Sequence, residues 1–156
     1  MEFDDKLKAA IDRGRERRAH DRNLTQQRRM TEAELRTRHN EIRLRLSEHI
    51  ERSIRKLIEP FPGFQFEVIY GERGWGAAIY RDDQLAPGRK AYSRLEMYVR
   101  PLSALQLVDL FAKGTVRNRE LFSRNSYQEI EAADLGQLER LVDTWVLEYA
   151  ELFASQ

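Results

Sequence analysis

Eight consecutive residues, Ser93-Arg94-Leu95-Glu96-Met97-Tyr98-Val99-Arg100, alternate strictly between the two sides of an extended chain. Successive side chains on a strand point to opposite faces, so Leu95, Met97 and Val99 fall on one side and Arg94, Glu96, Tyr98 and Arg100 on the other. Such a strand needs a core against its first face and leaves the second open to water or a partner. The surrounding stretch, Phe64 to Phe122, must supply the neighbouring strands.

Phe64-Gln65-Phe66-Glu67-Val68-Ile69-Tyr70 repeats the alternation and points Phe64, Phe66, Val68 and Tyr70 inward. Gly71-Glu72-Arg73-Gly74 has turn chemistry, so this strand and Trp75 to Arg81 form an antiparallel hairpin. A polar loop with Pro87-Gly88 then leads to the Ser93–Arg100 strand. Leu105 to Ala112 fits a short helix capped by Ser103 or a strand; Gly114-Thr115-Val116 and the run to Phe122 favour the strand and a second hairpin. Asn125 to Ala133 is polar and reads as a connection.

The flanks are helical. Thr31-Glu32-Ala33-Glu34 matches a capping box, and the stripe Leu35, Ile42, Leu46, Ile50, Ile54, Leu57, Ile58 predicts a helix reaching Glu59, stopped by Pro60, Pro62 and Gly63. Asp134, with Gln137 three residues on, starts a last helix whose apolar face includes Leu138, Val142, Trp145, Tyr149 and Phe153, broad enough to meet both sheet and first helix. Helix, strands, helix predicts an α+β two-layer sandwich: an antiparallel sheet of about four to five strands, with a long N-terminal and a C-terminal helix on one face. Residues 31–156 form that single domain, and 1–30 an Arg-rich arm, helical or frayed.

Charge is uneven along the chain. The net charge is only +1, yet residues 1–60 hold 16 Lys and Arg against 12 Asp and Glu, while 61–156 hold 11 against 14. Arg13, Arg15, Arg17, Arg18, Arg22, Arg28 and Arg29 face only Glu16 and Asp21, which suits either a solvated extension or an arm for nucleic acid or an acidic partner. The register Leu7, Gly14, Asp21, Arg28 rules out a zipper. No apolar run approaches membrane-spanning length, and the start lacks a basic region followed by an apolar one, so a cytoplasmic protein without membrane contact is expected.

Chemistry is sparse. The chain has no cysteine, which removes thiol nucleophiles and thiolate metal sites. His39 and His49 are ten residues apart, too far to share a metal ion on a helix, and no phosphate loop or Gly-x-Ser-x-Gly turn occurs. Asp82 or Asp83 with Glu96 could converge on a divalent cation, but metal-dependent nucleases carry a lysine two residues after the glutamate, where Tyr98 stands. Neither an enzyme nor a cofactor or metal is expected.

The binding candidates are Tyr80, Arg94, Tyr98 and Arg100 on the outer sheet face, with Ile69 and Phe111 alongside. A second cluster, Arg117 and Arg119, shares a parity within the expected strand and would offer two positive prongs to a carboxylate or phosphate. The leading expectation is a non-catalytic interaction protein that holds a protein partner or a second copy of itself, as a homodimer, on the open face. The alternative is a nucleic-acid-binding protein using the arm for phosphates and sheet tyrosines for base stacking.

Overall fold

The computed structural model describes residues 2–28 and 30–156, with side chains for those outside 23–28. The chain divides into two compact units, Met1–Glu34 and Leu35–Gln156.

In the first unit, α1 runs Glu2–Arg28. Acidic Glu2, Asp4 and Asp5 sit in its first turn, where the exposed amides carry partial positive charge. Residues 2–22 are all exposed, including Phe3, Leu7 and Ile11. Leu24, Arg28 and Arg29 of the expected arm lie outside the residues described with side chains.

The second unit is an α+β fold. α2 (Glu32–Arg55) has its first turn in the first unit and the rest in the second, and it opens at the expected cap, where the Glu34 amide donates to Thr31 Oγ1 at 3.2 Å. It ends four residues before the predicted Glu59. Pro60 has no N–H to continue the ladder and disfavours helical geometry at Glu59, and the chain tightens into i→i+3 turns from Ile54 to Leu57 and Arg55 to Ile58.

Five strands follow as an antiparallel meander in sequence order: β1 Gln65–Ile69, β2 Trp75–Ala86, β3 Arg89–Val99, β4 Leu107–Val116 and β5 Arg119–Glu129. Leu107 to Ala112 is therefore strand, as favoured. Asn125 to Glu129, read from sequence as connection, is the second half of β5. Asp82 and Asp83 lie within β2, which extends to Ala86. Tyr70 lies beyond β1 and is 79% exposed, so it does not enter the core as its parity suggested. Val68, on the edge strand, is only half covered.

α3 (Leu135–Ala154) begins where Asp134 accepts a hydrogen bond from the Gln137 amide at 3.1 Å. The pairing register puts Ala77, Met97 and Ala112 in one row and Ile79, Leu95 and Gly114 in the next. Both rows are buried on the face that meets the helices. Arg43 of α2 lies 4.1 Å over the Trp75 ring and Arg55 lies 4.0 Å over Phe66. From α3, Phe153 packs against Phe64 with ring centroids 5.0 Å apart and planes tilted by 58°, and the Tyr149 hydroxyl donates to the Thr115 carbonyl at 2.8 Å. Gly114 makes that approach possible, since a Cβ there would stand 2.8 Å from the Phe122 ring and 3.0 Å from Tyr149. The two helices are also tied by polar groups: His49 Nε2 lies 2.8 Å from Asp143 Oδ1, and Ser53 Oγ donates to the same oxygen at 2.9 Å. Because the serine bonds to the aspartate and not to the histidine, this trio lacks the nucleophile-to-base contact of a hydrolase.

Candidate interaction surface

No helix of the Leu35–Gln156 unit covers the other face of the sheet. β3 crosses its middle and presents Tyr92, Arg94, Glu96 and Tyr98 there, the last three as the alternation predicted, with Arg100 following one residue past its end. The surroundings of these side chains are less open than parity alone implies.

Glu96 is 7% exposed and receives two cations. Arg73, from the β1–β2 turn, donates to both carboxylate oxygens at 3.2 Å, and Arg94 Nε donates to Oε2 at 3.0 Å. Arg94 also reaches Glu67 on β1 at 2.6 Å. Burial opposes the charge on Arg94, but its hydrogen bonds to Glu67, Glu96 and Tyr92 outweigh that and hold the guanidinium above its ordinary pKa. Arg94 is thus an internal tie between β1 and β3. It lies on the outer face, as its parity predicted, with its charge already shared between Glu67 and Glu96.

Tyr98 departs further from expectation, being only 7% exposed. Together with Ile69 and Ala78 it forms a small apolar cluster, against which Phe111 packs with ring centroids 5.0 Å apart. Gly74 and Gly76 let the β1–β2 turn close over it: a Cβ on Gly74 would meet the Val99 carbonyl at 2.2 Å, and one on Gly76 would meet Met97 O at 1.9 Å. The turn carries the Arg73 guanidinium to 5.2 Å from the Tyr98 ring. The glycine pair on either side of Trp75 was the sequence signal for this closure.

Arg100 is the more accessible of the pair, with its side chain 44% exposed; it lies 5.1 Å over Phe111 and 3.5 Å from Asp109, which also accepts from Asn125 at 3.0 Å. Tyr80 donates to Gln65 at 3.1 Å, with Arg94 6.0 Å from its ring. Between these groups a shallow depression of ≈ 310 Å³ is lined by Arg73, Tyr92, Arg94, Glu96, Lys113 and Thr115.

Arg117 and Arg119 are both exposed but do not share a strand. Arg117 and Asn118 both have positive φ, +46° and +69°, the conformation of a two-residue type I′ turn joining β4 to β5, and Arg119 is the first residue of β5, paired with Val116. Because Arg117 stands in the turn and only Arg119 in β5, the two share no strand parity. Asn118 fixes the turn onto β3: it accepts from the Tyr92 amide at 2.8 Å and donates to the Lys90 carbonyl at 2.8 Å.

The acidic pair considered for a cation is also taken apart. Asp83 is bound by Arg81 at 3.0 Å and Glu96 by two arginines, and among the described residues no group of three or more His, Asp or Glu is placed to hold a metal ion. Nor, among those residues, is any helix long and apolar enough to cross a membrane. Comparison with protein-family models, with curated proteins and with solved structures found no match to the chain.

Proposed function

We propose that the chain is a non-catalytic interaction protein that holds a protein partner on the outer sheet face. The observation behind this reading is the charge balance of that face. Arg94, Arg73 and Arg100 each lie against a carboxylate of the same face, Glu67, Glu96 or Asp109. A surface that grips a phosphate backbone needs cations left over after internal pairing. This one has an aromatic pair, Tyr98 and Phe111, bordered by paired ions, the composition of a protein-recognition surface in which arginine and aromatic side chains carry most of the energy. Phe111 and Arg100, the partly exposed members, would make the contact.

The nucleic-acid reading retains one support. Arg13, Arg15, Arg17, Arg18 and Arg22 are exposed on α1 and make no ion pair among the described residues. Its other half is weakened, because a tyrosine buried as Tyr98 is has no face free for a base.

The test is affinity capture from native extract with the full chain, an Arg100→Ala/Phe111→Ala variant and a chain lacking residues 1–29. A protein captured by the full chain and the truncated chain, and lost with the face variant, supports the reading. A protein retained by the face variant overturns it, as does capture of nucleic acid alone, released as salt rises and lost with the truncation.

A further inference from the structure

The sheet has two edges, and they are built differently. β1 is five residues long, follows Pro62-Gly63, carries Glu67 at its centre and ends before Gly71. Short length, a central charge and flanking breakers are the usual guards against unwanted strand pairing. β5 is eleven residues long and contains neither proline nor glycine. Between Leu121 and Gln128 its one charged residue is Arg124, and that side chain is bound by both carboxylate oxygens of Glu148 on α3, on the inner side. The one irregularity lies near the turn, between Gly114 and Thr115; from Phe122 to Glu129 the pairing with β4 is continuous.

Which backbone groups of β5 face outward follows from the ladder. The Ile130 amide donates to the Gln106 carbonyl, continuing the β4–β5 register by one pair. Hydrogen-bonded pairs alternate in an antiparallel ladder, so the even-numbered residues of this stretch bond to β4. Ser123, Asn125, Tyr127 and Glu129 then direct N–H and C=O away from the sheet. Among the described residues nothing pairs with this edge, and Ser123, Asn125, Tyr127 and Glu129 are all exposed.

We infer that this edge pairs antiparallel with β5 of a second copy of the chain, about a two-fold axis at Asn125, joining the two sheets into one. The strand is self-complementary in that arrangement. It begins with Arg119-Glu120 and ends with Glu129, so an antiparallel partner brings Arg119 of each strand toward the acidic end of the other, whereas a parallel one would set Glu129 beside Glu129. Centring on Asn125 pairs Ser123 with Tyr127 of the partner subunit, both with outward groups, and pairs Arg124 with a serine. Centring one residue earlier would put the two Arg124 side chains directly opposite each other. Pairing also keeps parity, so the outer faces of both copies lie on the same side of the joined sheet. The inference does not depend on what that face binds.

Sedimentation of the full chain over a concentration series tests it, with amide hydrogen exchange at low and high concentration. The expected result is a reversible dimer in which the Ser123, Asn125, Tyr127 and Glu129 amides exchange more slowly as dimer forms. Tyr127→Pro removes an outward donor from each strand while leaving the β4 ladder intact, and should weaken the dimer at least tenfold. Asn125→Lys, which puts like charges together at the axis, should weaken it also, and mixing that variant with Asn125→Glu should restore a heterodimer, a result that folding defects cannot mimic. Arg73→Ala, on the outer face at the β1–β2 turn and remote from β5, should leave the dimer unchanged, so loss of the dimer and loss of the outer face are separable. A wild-type chain monomeric through the micromolar range, a dimer unmoved by the Asn125 variants, or a monomer that takes up an extended peptide of another protein would overturn the inference.

Discussion

Glu96→Gln isolates the charge of the one buried carboxylate on the outer sheet face, keeping its shape. The glutamate side chain is 9% exposed and shared between two arginines of different surroundings. Arg73 is 57% exposed, so its pair with Glu96 is worth no more than about 1 kcal/mol. Arg94 is 19% exposed, and breaking a buried pair costs about 3 to 5 kcal/mol when the surviving ion is left alone. Arg94 is not left alone, because Glu67 remains 2.6 Å away. The cost should therefore fall below that range, at about 2 kcal/mol.

Urea unfolding reads this as a lower midpoint with an unchanged slope, since the surface exposed on unfolding is the same. Raising salt should reduce the loss only slightly, because the Arg94 part is shielded from the ion atmosphere. Glu67→Gln, removing the more exposed partner, should cost less than Glu96→Gln. A Glu96→Gln loss below about 0.5 kcal/mol would show that the network is solvated, at the level of surface pairs, and would remove Arg94 as a tie between β1 and β3.

Four further outcomes follow from the packing. Met97→Ala should cost about 2 to 5 kcal/mol in urea unfolding through the cavity it leaves, and Tyr98→Ala should also be costly, on the order of 3 kcal/mol, although the two residues point to opposite faces. Arg117→Gly should stabilise by up to about 1 kcal/mol, read as a raised unfolding midpoint, because glycine adopts the positive φ of the turn without a Cβ penalty. Burial, then the nearby Arg43 charge, lowers the His39 pKa against an opposing hydrogen bond to the Arg100 backbone; the unfolded chain then binds the proton more readily, so stability should fall as pH drops below about 6.5, and His39→Leu should flatten that slope in denaturation series across the window. Deleting residues 1–29 should leave the cooperative thermal transition nearly in place, since none of residues 2–22 is buried.

The period-2 pattern of β3 was sufficient to divide the sheet into its two faces, because a strand's parity is fixed by backbone geometry and needs no knowledge of neighbours. The same reasoning placed Leu95, Met97 and Val99 in the core and Arg94, Glu96, Tyr98 and Arg100 on the far side. It could not say how covered that side would be, since coverage comes from Arg73 and Phe111, which approach from other elements. Parity also carries no information once the chain leaves a strand, and for that reason it misplaced Tyr70 and joined Arg117 to Arg119. Polarity misled in the opposite direction at Asn125 to Glu129. A stretch rich in serine, asparagine and glutamine reads as a loop, yet at a sheet edge only one side of the strand has a ladder neighbour and half its side chains remain wet, so polar residues are stable there. The absence of a proline or glycine from that edge, and of any charge but Arg124 between Leu121 and Gln128, is the property on which the inferred strand pairing rests.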